Sequence, residues 1–128
     1  DGRSAAEIKG ALDALNLPGL SFRIKTTRNS KGKTVSGVYP MITDWKRWQP
    51  TALAFHMMRL SAKWETPQPF ARASGSQATL FNKHVGSTAW WSELSVKGSG
   101  ADADKFLREW NARALQFSRS AGRFFLYD

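Results

Sequence analysis

Between Leu20 and Arg28 the chain alternates: Leu20, Phe22 and Ile24 fall on one side, and Ser21, Arg23, Lys25 and Thr27 on the other. A period of two suits a strand with one buried face. Asn29-Ser30-Lys31-Gly32-Lys33 then reads as a turn, with Gly32 free to take positive φ. Thr34 to Met41 reads as the returning strand. Gly37 and Pro40 make it less regular, and Pro40 suits a strand end or a sheet edge. A local antiparallel hairpin is the piece of architecture that everything else must accommodate.

The flanking segments have helical spacing. Ser4 and Glu7 form an S-x-x-E capping pattern, followed by an Ile8, Leu12 and Leu15 stripe that Asn16-Leu17-Pro18-Gly19 stops. After the hairpin, Asp44 can cap a short turn holding Trp45-Lys46-Arg47-Trp48. Pro50 fits the first position of a helix, where no amide hydrogen is needed. Leu53, Met57, Leu60 and Trp64 fall on one face of that helix and are expected to be core; Arg59 and Lys63 share another face. The helix ends in Glu65-Thr66-Pro67-Gln68-Pro69. Residues 65–77 read as a mobile loop beside a binding surface.

Ala78 to Val85 and Thr88 to Lys97 read as a second strand pair across Gly86-Ser87, with Ser87 as the cap of a short helix in the alternative. Asp102 and Asp104 suit the positive end of a long helix, along which Phe106, Trp110, Ala114, Phe117 and Ala121 form a stripe that Gly122 ends. Phe124-Phe125-Leu126-Tyr127 reads as a closing strand. The expected fold class is α+β: a single domain over 1–128, order α-β-β-α-β-β-α, with an antiparallel sheet packed by helices. Starting at Asp1 without methionine, the chain reads as a fragment or processed form of a longer protein.

At 128 residues such a domain buries roughly two thirds of the surface its unfolded chain exposes, so no staple is required. There are no cysteines, which excludes disulfides and cysteine-ligated metals. No apolar run approaches the roughly 20 residues of a membrane span. The expected setting is cytoplasmic, with a secreted or translocated effector as the alternative.

Two features stand apart, a formal charge of +9 and six tryptophans beside eight phenylalanines. An excess of that size points to a polyanionic partner. Cations interleaved with aromatic rings suit single-stranded nucleic acid, whose phosphates follow a positive groove while bases stack on rings. The leading expectation is therefore a non-enzymatic DNA- or RNA-binding domain. Phosphate contacts would come from Arg23, Lys25, Arg28, Lys31, Lys33, Lys46, Arg47, Arg59 and Lys63, and stacking from Trp45, Trp48 and Trp91. Trp64, Trp90 and Trp110 are assigned to the core.

The second expectation is a small metal-independent nuclease, of the kind found in toxin effectors, with His56 and His84 as acid and base. A third is a module that meets an acidic protein. No cofactor or metal ligand set is indicated. Gly32-Lys33-Thr34 lacks the upstream glycine and strand-to-helix context of a phosphate loop.

Overall fold

A computed structural model describes residues 2–124. It contains helix α1 (Ala5–Asp13), strands β1 (Leu20–Arg28) and β2 (Thr34–Ile42), and helices α2 (Pro50–Trp64), α3 (Gly75–Val85), α4 (Thr88–Lys97) and α5 (Ala103–Ala121). Short 3-10 turns lie at Phe70–Arg72, Gly98–Gly100 and Gly122–Phe124. The class is α+β. Chain contacts divide it into two compact units, residues 1–54 and 55–128.

In the first unit, α1 packs on both strands of the hairpin. Its capping box is complete: the Ser4 hydroxyl accepts from the Glu7 N–H, and the Glu7 carboxylate accepts from the Ser4 N–H at 2.8 Å. That backbone hydrogen bond from Ser4 holds the Glu7 carboxyl below the usual carboxylate range.

The hairpin register pairs Leu20 with Ile42, Phe22 with Pro40 and Ile24 with Val38. One face therefore carries the apolar positions. Only the base of this face is covered: Phe22 is buried, whereas Ile24 is exposed. The turn is organised by Asn29, whose side-chain oxygen accepts from the N–H groups of Lys31 and Lys33, and Gly32 takes φ +72°. The opposite face is basic; Lys25 Nζ sits 3.9 Å from the centre of the Tyr39 ring.

The base of the hairpin is fastened by a close backbone approach. Gly19, at φ +73°, accepts from the N–H of Thr43 at 2.9 Å and of Asp44 at 3.3 Å. A Cβ on Gly19 would lie 2.8 Å from the Trp48 backbone nitrogen and would also collide with the Asp44 carbonyl. The turn at 44–48 is thereby set against the strand start. Asp44 accepts from the Lys46 N–H through its side chain and from Trp48 N–H through its carbonyl, as a cap would.

In the second unit the expected strand pair at 78–97 does not form. Both segments are helices, each opened by a serine. Ser74 and Gln77 make a second complete capping box before α3, and the Ser87 hydroxyl accepts from the Trp90 N–H to open α4. Gly86 at φ +73° closes α3. Local capping chemistry decides here, because the apparent alternation around Trp90 and Trp91 spans too few residues to separate a period of 2 from one of 3.6.

Of the α2 residues expected to face inward, Leu60 is buried, but the rest of the buried face is set differently. Ala52, Phe55, His56, Leu60 and Ala62 are buried, whereas Met57 is exposed and Leu53 and Trp64 are half-buried. Its end is a Schellman motif. Glu65 adopts φ +52°, Thr66 N–H donates to the Ser61 carbonyl and Glu65 N–H to the Ala62 carbonyl.

The core of this unit is a ring cluster in which Phe55 and Trp90 lie 4.8 Å apart and Trp90 and Phe106 4.9 Å apart. Only the first half of the α5 stripe contributes. Phe106 and Trp110 reach Phe55, but Trp110, expected in the core, stays 36% exposed at its edge, and Phe117 is 71% exposed. The closing strand expected from Phe124 begins in a 3-10 turn, and its remaining residues lie outside those described.

The approach at Gly19 can be tested directly. Gly19→Ala is expected to lower the unfolding free energy by about 2–4 kcal/mol, because it adds backbone strain and a collision with backbone atoms. Gly10→Ala, in α1 with open space around it, is expected to raise it by about 0.5–1 kcal/mol. Urea denaturation of both variants measures the contrast; equal effects would contradict it.

Candidate functional site

Successive residues of a helix point about 100° apart, so the adjacent tryptophans of α4 serve different surfaces. Trp90 goes into the core with no exposure. Trp91 faces Phe70 from the 3-10 turn and Phe81 from α3. The ring centres are 5.4 Å apart for Phe70 and Trp91, 4.9 Å for Phe81 and Trp91, and 5.7 Å for Phe70 and Phe81, all tilted or edge-on. Such geometry contributes roughly 0.5–1.5 kcal/mol per pair beyond burial of area.

These three rings line one side of an open cleft of about 230 Å³. The segment from Thr66 to Phe70 lines it as well, with Ser61, Ala73 and Gln77. The Thr66-Pro67 peptide is cis. Two hydroxyls hold this segment to the end of α2: Ser61 Oγ donates to the Thr66 carbonyl, and Thr66 Oγ1 to the Trp64 carbonyl at 3.2 Å. Gln68 Nε2 donates to Gln77 Oε1 at 3.1 Å, tying the segment to the first turn of α3. Gln77 Oε1 also accepts from the N–H and hydroxyl of Ser74. One capping glutamine thus fixes both the helix start and the cleft rim.

The cleft is apolar, aromatic and uncharged, with side-chain amides at its edge. It can hold a ligand with a flat apolar face and a few hydrogen-bonding groups. None of its lining side chains can transfer a proton near neutral pH. Glu93, Lys97 and Asp102 of this unit are engaged elsewhere. Glu93 accepts from Lys97 at 2.8 Å and from the Asp102 N–H at 3.2 Å. The Lys97 hydrogen bond, then the Asp102 one, holds its carboxyl below the usual range. Asp102 caps α5 through its bond from Lys105 N–H. Among the described residues, no group of three or more His, Cys, Asp or Glu is placed to hold a metal ion.

The residues expected to form a site divide between the units. Arg23, Lys25, Arg28, Lys31, Lys33, Trp45, Lys46, Arg47 and Trp48 are in the first, on the hairpin and the 44–48 turn. All are exposed except Trp48, which is half-buried; Trp45 is 76% exposed. Arg59 and Lys63 lie on the α2 segment of the second unit, and Trp91 lines its cleft.

His84 is at the surface of α3. His56 is only 7% exposed and places Nε2 3.5 Å from Asp104 Oδ1. Burial holds its pKa below the usual histidine value, and nearby Arg59 lowers it further, while Asp104 acts in the opposite sense. Phe70, Phe81, Gln68 and Gln77 are missing from the expected site. The pattern Ser74-x-x-Gln77 marks the start of α3 and sets Phe81 one turn beyond Gln77 on the same face.

Residues 2–127 match the family described as exo-beta-N-acetylmuramidase NamZ, C-terminal. The chain belongs to this family. A search of curated proteins finds no match. The crystal structure of a DUF1343 family protein from Bacteroides fragilis NCTC 9343 superposes with a TM-score of 0.76 at 20% identity. That alignment covers 99% of this chain and 34% of the other, so the chain spans about a third of that protein's length. The likeness is one of fold.

Membership of the NamZ C-terminal family points to a glycosidase-related protein and overturns the expectation of DNA or RNA binding. The nuclease alternative falls with it. Cations and tryptophans supplied the charge and ring content of a nucleic-acid surface. The structure gathers Trp91 with two phenylalanines over an uncharged cleft. Among the described residues, no helix is long and apolar enough to cross a membrane.

His56 makes stability depend on pH with a definite sign. Its folded pKa lies below the unfolded value of 6.5, so just below pH 6.5 the unfolded chain binds more protons. Stability therefore falls as pH drops from about 6.5 toward the folded value. His56→Gln is expected to flatten that part of a melting-temperature profile; an unchanged profile would contradict the burial cost.

Proposed function

We propose that this chain is a glycan-engaging domain of an exo-acting β-N-acetylmuramidase and serves to hold peptidoglycan strands. Membership of the NamZ C-terminal family supports the substrate class. The observation that carries the division of labour is the aromatic, amide-edged cleft with no carboxylate in its lining. Pyranose rings present an apolar C–H face that packs on aromatic rings, and their substituents take hydrogen bonds from side-chain amides. Glycoside hydrolysis ordinarily needs two carboxyl groups flanking the bond. The cleft supplies none, so that chemistry is assigned to another part of such an enzyme.

The formal charge of +9 fits the same role. The muramyl residues of peptidoglycan carry carboxylates, on the lactyl group where it is free and on the peptide stem where one is attached, and exposed cations on the hairpin raise the encounter rate with such a polymer at low salt.

Sedimentation with purified insoluble peptidoglycan tests the proposal. The 128-residue chain is expected to co-sediment with the wall, less so as salt rises, and to release no N-acetylmuramic acid. Absence of co-sedimentation at low salt would overturn the glycan role. Sugar release by the chain alone would overturn the division of labour.

A further inference from the structure

The hydrogen bonds at the cleft edge define what a ligand is offered there. Gln77 Oε1 already accepts from Gln68 Nε2 at 3.1 Å and from the N–H and hydroxyl of Ser74 at 2.9 and 3.3 Å. A carboxamide oxygen has two lone pairs, so it is saturated. Gln77 is left with its Nε2 donors. Gln68 has spent a donor on Gln77 and keeps its Oε1 acceptor. The pair thus presents a donor beside an acceptor, next to the rings of Phe81 and Trp91. An acetamido group is the complement: its N–H donates and its carbonyl accepts.

The charge of the cleft narrows the ligand further. Its lining side chains are serine, threonine, proline, glutamine, phenylalanine, alanine and tryptophan, with no cation among them. A carboxylate brought into such a site would lose water without gaining a counter-charge, which is unfavourable. Of the two sugars that alternate in peptidoglycan, the muramyl residue carries a carboxylate, on its free lactyl group or on its peptide stem, and the N-acetylglucosamine residue carries none.

We propose that the cleft is a binding site for an uncharged N-acetylhexosamine of the N-acetylglucosamine type. Its acetamido group lies between Gln68 and Gln77, and its apolar face lies on the Phe81 and Trp91 rings. This rests on the reading of the domain as glycan-engaging and assigns which sugar occupies the cleft.

The test is titration of the 128-residue chain with N,N′,N″-triacetylchitotriose, cellotriose, N-acetylglucosamine and N-acetylmuramic acid. The Trp91 indole N–H resonance, assigned by its loss in Trp91→Phe, serves as the reporter. Triacetylchitotriose is expected to shift it saturably and to bind about tenfold or more tightly than cellotriose, which lacks acetamido groups. N-acetylglucosamine is expected to shift it further than N-acetylmuramic acid at equal concentration.

Gln77→Glu keeps the helix cap, because glutamate completes the same capping box. It removes the amide donors and adds a negative charge. It is expected to weaken triacetylchitotriose about tenfold with an unchanged melting temperature. Equal binding of the two trisaccharides, unaltered affinity in Gln77→Glu, or shifts confined to other resonances would overturn the assignment. If peptidoglycan still co-sediments while triacetylchitotriose does not reach Trp91, the cleft assignment fails and the glycan role stands. If neither binds, both fail.

Discussion

The second unit depends on the burial of one side chain, Trp90. It has no exposed surface, and it packs against Phe55 of α2 and Phe106 of α5 at ring separations under 5 Å. Leu94, one turn further along α4, is buried with it. Truncating an aromatic ring in such a position costs on the order of 3–5 kcal/mol. The larger consequence is geometric. With Trp90 committed inward, the rotation of α4 about its axis is fixed, and Trp91 must emerge about 100° away. That is where Phe70 and Phe81 meet it, so the cleft is a by-product of how the core is filled.

The two units differ in chemical character. The hairpin unit carries exposed cations and a tryptophan at the surface of the 44–48 turn. Such charges act over about a Debye length and select weakly among anions. In the proposed role the cleft acts only at contact, through its rings and its edge amides, which are held by hydrogen bonds to each other and to Ser74. Attraction and selection are therefore assigned to different residues. A high net charge by itself does not distinguish a nucleic acid from an anionic glycan.

Much of the local structure was legible in the chain. The alternation of Leu20 to Arg28, the turn at Asn29 to Lys33, the Ser4–Glu7 box and the Pro50 start all reflect short-range chemistry that burial does not override. The same grammar was present at Ser74-x-x-Gln77, where a short apparent alternation further on, around Trp90 and Trp91, suggested strands instead. The inward face of α2 was harder to see. The stripe through Leu53, Met57, Leu60 and Trp64 has the right period, but of these only Leu60 is buried, and burial settled also on Ala52, Phe55, His56 and Ala62. The stripe on α5 had the right period too, yet Phe117 remains exposed, since periodicity reports a possible interface and not whether a partner fills it. The cleft was beyond reach because Gln68, Phe70, Phe81 and Trp91 come from a loop and three separate elements that only the packed core brings together.

The most direct measurement is an isotope-filtered nuclear Overhauser experiment on the chain with a soluble N-acetylglucosamine–N-acetylmuramic acid disaccharide from peptidoglycan. Contacts from the N-acetylglucosamine acetamido methyl group to the ring protons of Phe81 and Trp91 are the predicted result. Contacts confined to the hairpin and Trp45, with none at the cleft, would contradict the account.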